Sequence, residues 1–158
     1  SHYEGGGMHQ IERGGFLDVH ADFNQHHIYK LDRRLNLLLY LNKDWKEEYG
    51  GHLELWDRNM KTCVKKVSPI FNRCVIFTTS DYSFHGHPLP LHCPPDRTRK
   101  SLALYYYTNG RPEGETQGAS PRTIYKSPGD VSRSSLRSVA KWLLPPVVTD
   151  VIRGVRKK

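Results

Sequence analysis

The chain has 158 residues and a mass of 18.3 kDa, which fits a single domain. Its mean hydropathy is −0.67 and no apolar run approaches the roughly 18 residues of a membrane span, which argues against a transmembrane segment. The polar N-terminal residues also lack a signal-peptide pattern. Three cysteines without CxxC spacing argue against a disulfide framework or a zinc ribbon and favour a reducing, cytoplasmic compartment.

The net charge of +8 is unevenly distributed along the chain. Residues 1–96 carry 11 basic and 12 acidic side chains, whereas residues 97–158 carry 13 basic and 4 acidic ones. A basic C-terminal part suits RNA, acidic partners or an anionic surface, and it is equally explained as solvated charge that keeps the protein in solution. Nucleic-acid binding is not expected as the main function, because Tyr105–Tyr107 lie inside a predicted strand with alternating faces and form no basic–aromatic platform.

Short apolar stretches separated by Gly, Pro, Asn or Asp predict about eight strands with little helix between them. Connections of a few residues exclude a parallel sheet, so the pattern is typical of an antiparallel sandwich or jelly roll. The predicted strands are Met8–Ile11, Phe16–His20, Leu35–Leu41, Leu53–Trp56, Cys63–Val67, Cys74–Thr78, Tyr82–His85 and Leu102–Tyr107.

The C-terminal third differs in composition from this mainly β part, which we assign to residues 1–110. Residues 111–130 are rich in Gly, Pro, Ser and Thr and are predicted to be a loop or linker. Residues 131–158 are predicted to be a basic helical segment, because Leu136, Val139, Ala140, Leu143 and Leu144 recur at helical spacing. This helix is expected to pack on the sheet or, alternatively, to bind a membrane surface or a partner.

Two short motifs suggest a metal site. In a strand, His20 and Asp22 point to the same side and can chelate one ion, although Asp18 with His20 is a competing pair. A third ligand can come from the distant Ser83–Pro88 segment, where His85 and His87 share a face. Two histidines and one carboxylate suit non-haem Fe(II), because open coordination positions remain for substrate and oxygen.

Two further side chains suggest an anion site beside the metal. If Arg99 faces inward, the small residues Ser101 and Ala103 share its face and leave space for a carboxylate that the guanidinium can bind. Tyr40 lies on one face of its strand and could donate its hydroxyl to the same carboxylate. The alternatives are that Arg99 belongs to a solvated turn and that Tyr40 is an aromatic core residue.

In this order the motifs resemble those of the 2-oxoglutarate- and Fe(II)-dependent dioxygenases, and more narrowly those of the prolyl 4-hydroxylase branch. They are His-x-Asp, Tyr40-Leu-Asn-Lys-Asp-Trp45, Gly50-Gly51-x-Leu53, a distal histidine, and Thr-Arg before an aliphatic–aromatic strand. The stretch Tyr40–Trp45 is similar to one in the hypoxia-type prolyl hydroxylases. The resemblance covers roughly residues 8–108 and implies a double-stranded β-helix, or jelly-roll, core.

The resemblance also implies site roles. His20, Asp22 and His85 would be the iron ligands, with His87 as the competing distal ligand. Arg99 would bind the far carboxylate of 2-oxoglutarate with support from Tyr40. The implied cofactors are Fe(II), 2-oxoglutarate as co-substrate, O2 and ascorbate.

The activity expected from this resemblance is hydroxylation of an unactivated C–H bond, coupled to decarboxylation of 2-oxoglutarate to succinate and CO2. Retention of Asp22 favours hydroxylation over halogenation. A peptidyl proline is the suggested substrate, with other proteins, small metabolites and sugar-linked compounds still open. A jelly-roll module that binds a ligand without turnover and a basic nucleic-acid-binding protein are the alternative functions.

Overall fold

The computed structural model describes residues 6–115, 118 and 122–125. Within these residues the chain forms short β-strands and a 3-10 helix at Glu47–Tyr49. The strands are β1 (Gly7–Ile11), β2 (Leu17–Ala21), β3 (Asp32–Tyr40), β4 (Leu53–Trp56), β5 (Cys63–Val67), β6 (Cys74–Thr78), β7 (His85–His87), β8 (Arg99–Thr108) and β9 (Ile124–Tyr125). No helix in the described part is long and apolar enough to cross a membrane.

The strands form two antiparallel sheets. One has the order β1-β8-β3-β6 and the other has the order β5-β4-β7-β2-β9. Strands that are far apart in the chain become neighbours, so the polypeptide passes repeatedly from one sheet to the other, as in a jelly roll. The predicted mainly β class is confirmed, whereas the helix predicted within residues 131–158 lies outside the described residues.

The predicted strands match the observed ones closely, with one difference at the site. Strands β4, β5 and β6 have the predicted bounds. The strand predicted at Tyr82–His85 instead spans His85–His87. Ser80 and Ser83 share a hydrogen bond of 2.7 Å between their hydroxyls, and this turn delays the start of the ladder. As a result, both histidines of the His-Gly-His motif lie within β7.

Strand β2 alternates between two environments at its C-terminal end. Val19 and Ala21 face an apolar cluster with Met60 and Phe84, and each of these four is buried. A fully buried large apolar side chain stabilises a fold by about 1.5–3 kcal/mol. His20 points to the opposite face. Packing of one face therefore fixes the direction of the polar side chains on the other.

Gly86 allows β7 to lie close against β2. A Cβ atom at this position would lie 2.8 Å from the carbonyl oxygen of Leu17 and 3.0 Å from the Cα of Val19. These contacts are with backbone, which cannot move aside as a flexible side chain can. The glycine between the two histidines therefore keeps His85 at the distance from β2 that the site requires.

The segment predicted as a loop or linker, residues 111–130, contributes a strand. In β9, Tyr125 lies opposite His20 and Ile124 lies opposite Ala21. Arg111 donates hydrogen bonds from Nη2 to the carbonyl oxygens of Arg33 (2.7 Å) and Asn24 (3.2 Å). These contacts tie the described residues after β8 to the β domain.

Candidate metal centre and its anion site

His20, Asp22 and His85 meet where β2 and β7 pair. His20 lies opposite His85 in this pairing, and Asp22 follows β2 directly. The ligand atoms of the three side chains all lie within 4.8 Å of one another. Each histidine Nε2 is 3.4 Å from a different oxygen of Asp22. One ion can therefore contact all three groups.

Backbone carbonyls orient the two imidazole rings. His20 donates a hydrogen bond from Nδ1 to the carbonyl oxygen of Asp18 (2.8 Å), and His85 does the same to Ser83 (2.9 Å). Because a carbonyl can only accept, each Nδ1 carries a hydrogen, and Nε2 is the ring nitrogen left to bind a metal. This is the arrangement that prepares a neutral histidine to bind a metal.

Asp22 is held by two buried side chains of β3. Arg33 donates from Nη2 to Asp22 Oδ2 (3.0 Å), and Asn36 donates from Nδ2 to the same oxygen (2.6 Å). Burial by itself would raise the pKa of the Asp22 carboxyl. Hydrogen bonds from His20 and His85 and the charges of His85 and Arg33 outweigh this effect and hold that pKa well below its usual range. Asp22 is therefore ionised and presents its oxygens to the two imidazoles.

The donor set fits Fe(II). Two imidazoles and one carboxylate on adjacent strands form the two-histidine, one-carboxylate arrangement, which leaves coordination positions for other ligands. Within the described residues, this is the cluster of three metal-ligating groups that the structure brings together. The competing pair does not form, since the Asp18 side chain is exposed and contributes its backbone carbonyl.

Arg99 is buried on β8, on the face that it shares with Ser101 and Ala103. Arg99, Ser101 and Ala103 are 4%, 3% and 0% exposed, so the alternative of a solvated turn is wrong for Arg99. Its Nε donates to the carbonyl oxygen of Gly51 (2.8 Å), and its Nη2 lies 3.4 Å from the hydroxyl of Tyr40. Among the described residues, no carboxylate forms an ion pair with this guanidinium.

The electrostatics of the Arg99–Tyr40 pair favour an anion. Burial lowers the pKa of Arg99, and Tyr40 partly offsets that shift. Burial raises the pKa of Tyr40 against the opposing influence of Arg99. The site thus presents a buried positive charge and a neutral hydroxyl, which together can bind a carboxylate.

Gly51 makes room for the guanidinium. Gly50 and Gly51 have φ angles of +71° and +72°, a backbone conformation that residues with an L side chain rarely adopt. A Cβ atom at Gly51 would lie 2.9 Å from Cδ of Arg99 and 2.5 Å from a methyl group of Leu91. The Gly-Gly turn, interpreted from the sequence as structural, is therefore part of the anion site.

His87 follows His85 by two residues on β7 and belongs to neither the triad nor the Arg99–Tyr40 pair. It is 3% exposed, and among the described residues neither of its ring nitrogens has a hydrogen-bond partner. Burial first, and then the charges of Arg99 and His20, lower the pKa of His87 to about 3. The structure groups His85, and not His87, with His20 and Asp22.

Sequence reasoning missed several side chains that shape the centre. Arg33 and Asn36 are three residues apart, so regular alternation puts them on opposite faces, and the irregularity of β3 between Arg33 and Leu35 brings both to Asp22. Phe77 packs edge-on against the His85 ring at 4.7 Å between centroids, and Tyr125 packs against the His20 ring at 5.3 Å. Nothing local in the sequence indicates these two contacts, because they join distant strands.

Two antiparallel sheets that hold a two-histidine, one-carboxylate triad are typical of the non-haem Fe(II) oxygenases as a class. Comparison with known families gives the narrower assignment. Residues 6–107 match the family model described as the 2OG-Fe(II) oxygenase superfamily. The chain therefore belongs to the 2OG-Fe(II) oxygenase superfamily, and the resemblance inferred from its motifs is confirmed at this level.

Individual relatives are prolyl hydroxylases. The chain is 39% identical over 79 residues to the prolyl 3-hydroxylase OGFOD1 of Mus musculus, an alignment that covers 48% of this chain and 14% of the relative. A Pseudomonas putida prolyl-4-hydroxylase structure is similar with 23% identity and a TM-score of 0.48, covering 66% of this chain and 52% of that one.

A Trichoplax adhaerens prolyl hydroxylase, solved in complex with a hypoxia-inducible factor peptide fragment, is 23% identical with a TM-score of 0.49. That similarity covers 65% of this chain and 42% of the other. The chain thus spans about half or less of the length of these relatives.

Proposed function

We propose that this protein is an Fe(II)- and 2-oxoglutarate-dependent dioxygenase that hydroxylates a C–H bond of a peptidyl proline or a similar substrate. The observation that carries the proposal is the triad of His20, Asp22 and His85, whose ligand atoms lie within 4.8 Å of one another with both imidazoles already oriented. Membership of the superfamily supports the same reaction class.

In this proposal the triad holds the iron. His20 and His85 provide Nε2 atoms. Asp22 provides a carboxylate whose negative charge partly neutralises the positive charge of the bound ion. Bound iron would supply the activation of O2, with one oxygen atom passing to succinate as CO2 leaves and the other to the substrate as a hydroxyl group. Arg33 and Asn36 keep Asp22 in place by hydrogen bonds to Oδ2.

Arg99 and Tyr40 bind the co-substrate. The guanidinium, 4% exposed and without a carboxylate partner among the described residues, is available to the far carboxylate of 2-oxoglutarate. A buried charge of this kind is costly when it is unpaired, so a bound dicarboxylate stabilises it. Burial of the pair also keeps water from competing for the same hydrogen bonds.

The proposed substrate rests on the sequence identity of this chain to the Mus musculus enzyme OGFOD1. OGFOD1 is described as a prolyl 3-hydroxylase, and its 39% identity over 79 residues supports a prolyl substrate for this chain. The resemblance of Tyr40–Trp45 to the hypoxia-type enzymes points to the same residue type. Whether C3 or C4 of the proline ring is oxidised is read directly from the product.

The test is turnover of the purified protein in air with Fe(II) and 2-oxoglutarate, with and without ascorbate, and with a library of proline-containing peptides. We expect succinate in proportion to a peptide that has gained one oxygen atom, located on the ring by NMR. His20→Ala should abolish both products, and the exposed His92→Ala is the matched control. Binding of 2-oxoglutarate without formation of succinate would instead identify a non-catalytic ligand-binding module.

A further inference from the structure

His87 is a buried polar side chain that no group in the described part of the chain satisfies. It ends β7, is 3% exposed, and has no hydrogen-bond partner there at either Nδ1 or Nε2. Native structures pair the great majority of their buried polar atoms, because an unpaired one loses its hydration without replacement. Two unpaired nitrogens on one ring therefore indicate that the ring faces a ligand.

The position of His87 indicates which ligand. Alternation along β7 puts His87 on the same face as His85, two residues further along the strand, or about 6.6 Å at 3.3 Å per residue. The charged groups that influence it are Arg99 first and His20 second. His87 thus shares a strand face with the metal ligand His85, and the charges of Arg99 and His20 both act on it.

We propose that His87 donates a hydrogen bond from a ring N–H to the far carboxylate of bound 2-oxoglutarate, as a third contact beside Arg99 and Tyr40. This inference rests on the proposed function. A neutral imidazole always carries one N–H, so a donor is present in either tautomer. Because His87 shares a face of β7 with His85, a dicarboxylate held by the triad at one end would extend past this ring to reach Arg99.

The hydrogen bond removes two costs at once. It satisfies the N–H of the buried imidazole and adds a donor to a carboxylate that would otherwise rely on one guanidinium and one phenol. Hydrogen bonds to charged groups are stronger than those between neutral groups. His87 is accordingly a binding residue for the co-substrate and takes no part in holding the metal.

The experiment measures equilibrium binding, without turnover. Mn2+-loaded protein is titrated with 2-oxoglutarate under argon by calorimetry, for the wild type, His87→Leu, His87→Gln and the control His92→Leu. Leucine keeps the bulk of the ring and removes its hydrogen bonds, whereas glutamine restores a donor. We expect a Kd about tenfold or more higher for His87→Leu, partial recovery for His87→Gln, and no change for His92→Leu.

A second ligand locates the contact. 2-Oxopentanoate has the same carbon chain as 2-oxoglutarate and lacks the far carboxylate, so we expect wild type and His87→Leu to bind it equally. Weaker binding of 2-oxopentanoate by His87→Leu than by the wild type would overturn the assignment to the far carboxylate. Mn2+ affinity, measured alone, should be the same in both proteins.

A merely structural role gives a different pattern. If His87 only fills space, His87→Leu should unfold at the same or a higher temperature and bind 2-oxoglutarate with unchanged Kd, which would overturn the inference. If His87→Leu does not fold, His87→Ala takes its place: we expect it to bind 2-oxoglutarate more weakly than His87→Gln, and equal affinity of these two variants would overturn the inference. Failure of the wild type to bind 2-oxoglutarate would count against the proposed function itself.

Discussion

Arg99 is the residue on which the identity of the co-substrate depends. It is buried, its Nε is fixed by the carbonyl of Gly51, and its remaining donors face Tyr40 and the interior. A planar guanidinium matches a carboxylate in two parallel hydrogen bonds, which a lysine cannot reproduce. Replacement of Arg99 should therefore weaken binding of the anion far more than binding of the metal.

We expect Arg99→Ala to raise the KM for 2-oxoglutarate by about ten- to a hundredfold, corresponding to about 1.5–3 kcal/mol for a charge-assisted contact, with Fe(II) affinity changed little. Arg99→Lys should recover part of the loss. Tyr40→Phe should cost about 0.5–1.5 kcal/mol, as for one hydrogen bond. Steady-state formation of succinate measures all three.

Arg97→Ala is the matched control for this series. Arg97 precedes β8 and donates from Nη1 to the carbonyl oxygens of Lys43 (3.0 Å) and Asp44 (3.3 Å), away from Tyr40. Equal effects of Arg97→Ala and Arg99→Ala would indicate a general electrostatic field in place of a specific contact.

Substitutions of the two histidines of β7 should have different effects on metal binding. We expect His85→Ala to abolish binding of Mn2+, because it removes one of the three metal-ligating groups that cluster among the described residues. His87→Ala should keep that binding. Titration with Mn2+ by electron paramagnetic resonance measures both, and loss of the metal in His87→Ala alone would reverse the ligand assignment.

At the scale of elements, the site depends on the close pairing of β2 with β7. His20 and Asp22 come from one strand and its end, and His85 comes from the other. Gly86 sets their separation, because the backbone of β2 occupies the space where a side chain would begin. The ligand geometry is thus a property of this strand pair.

We expect Gly86→Ala to destabilise the protein by about 1–3 kcal/mol, the usual cost of overpacking, and to weaken metal binding by moving β7 away from β2. Asp18→Ala on the facing strand, with an exposed side chain, is the control. Thermal unfolding and Mn2+ titration measure the two effects. Unchanged metal affinity in a destabilised Gly86→Ala protein would show that the strand spacing does not set the site.

At the scale of the whole molecule, binding at the site should stabilise the fold. The triad and Arg99 join both sheets, so a ligand that bridges them binds the folded chain and not the unfolded one. Each ligand at a hundred times its Kd adds about 2.7 kcal/mol to the free energy of unfolding. Removal of the metal by a chelator should reverse this.

We expect Mn2+ to raise the Tm by several degrees, and 2-oxoglutarate to raise it further only when the metal is present. Scanning calorimetry with and without a chelator measures the effect. Asp22→Ala should show neither increase. A metal-independent shift with 2-oxoglutarate would mean that Arg99 binds the anion without help from the triad.

The basic C-terminal end should be dispensable for the chemistry. Deletion of residues 146–158 removes Arg153, Arg156, Lys157, Lys158 and Asp150. Since every proposed ligand precedes Thr108, we expect turnover of 2-oxoglutarate without substrate to persist. A folded truncation that no longer binds metal would show that part of the site lies beyond this point.

The sequence by itself determined the strands and the faces of their polar residues. Alternation within β8 predicted that Arg99 shares a face with Ser101 and Ala103, and alternation in β2 put His20 and Asp22 on one side. The order of the motifs indicated the superfamily. These features are local or follow chain order, so no knowledge of strand pairing was needed.

Only the tertiary structure decided which of the competing groups meet. His85 rather than His87 joins the triad because the register of β7 against β2 places it opposite His20. Arg33 reaches Asp22 from the other sheet, and Gly51 reaches Arg99 from a distant turn. Distances between residues far apart in the chain are set by pairing and packing, which hydrophobic period alone does not specify.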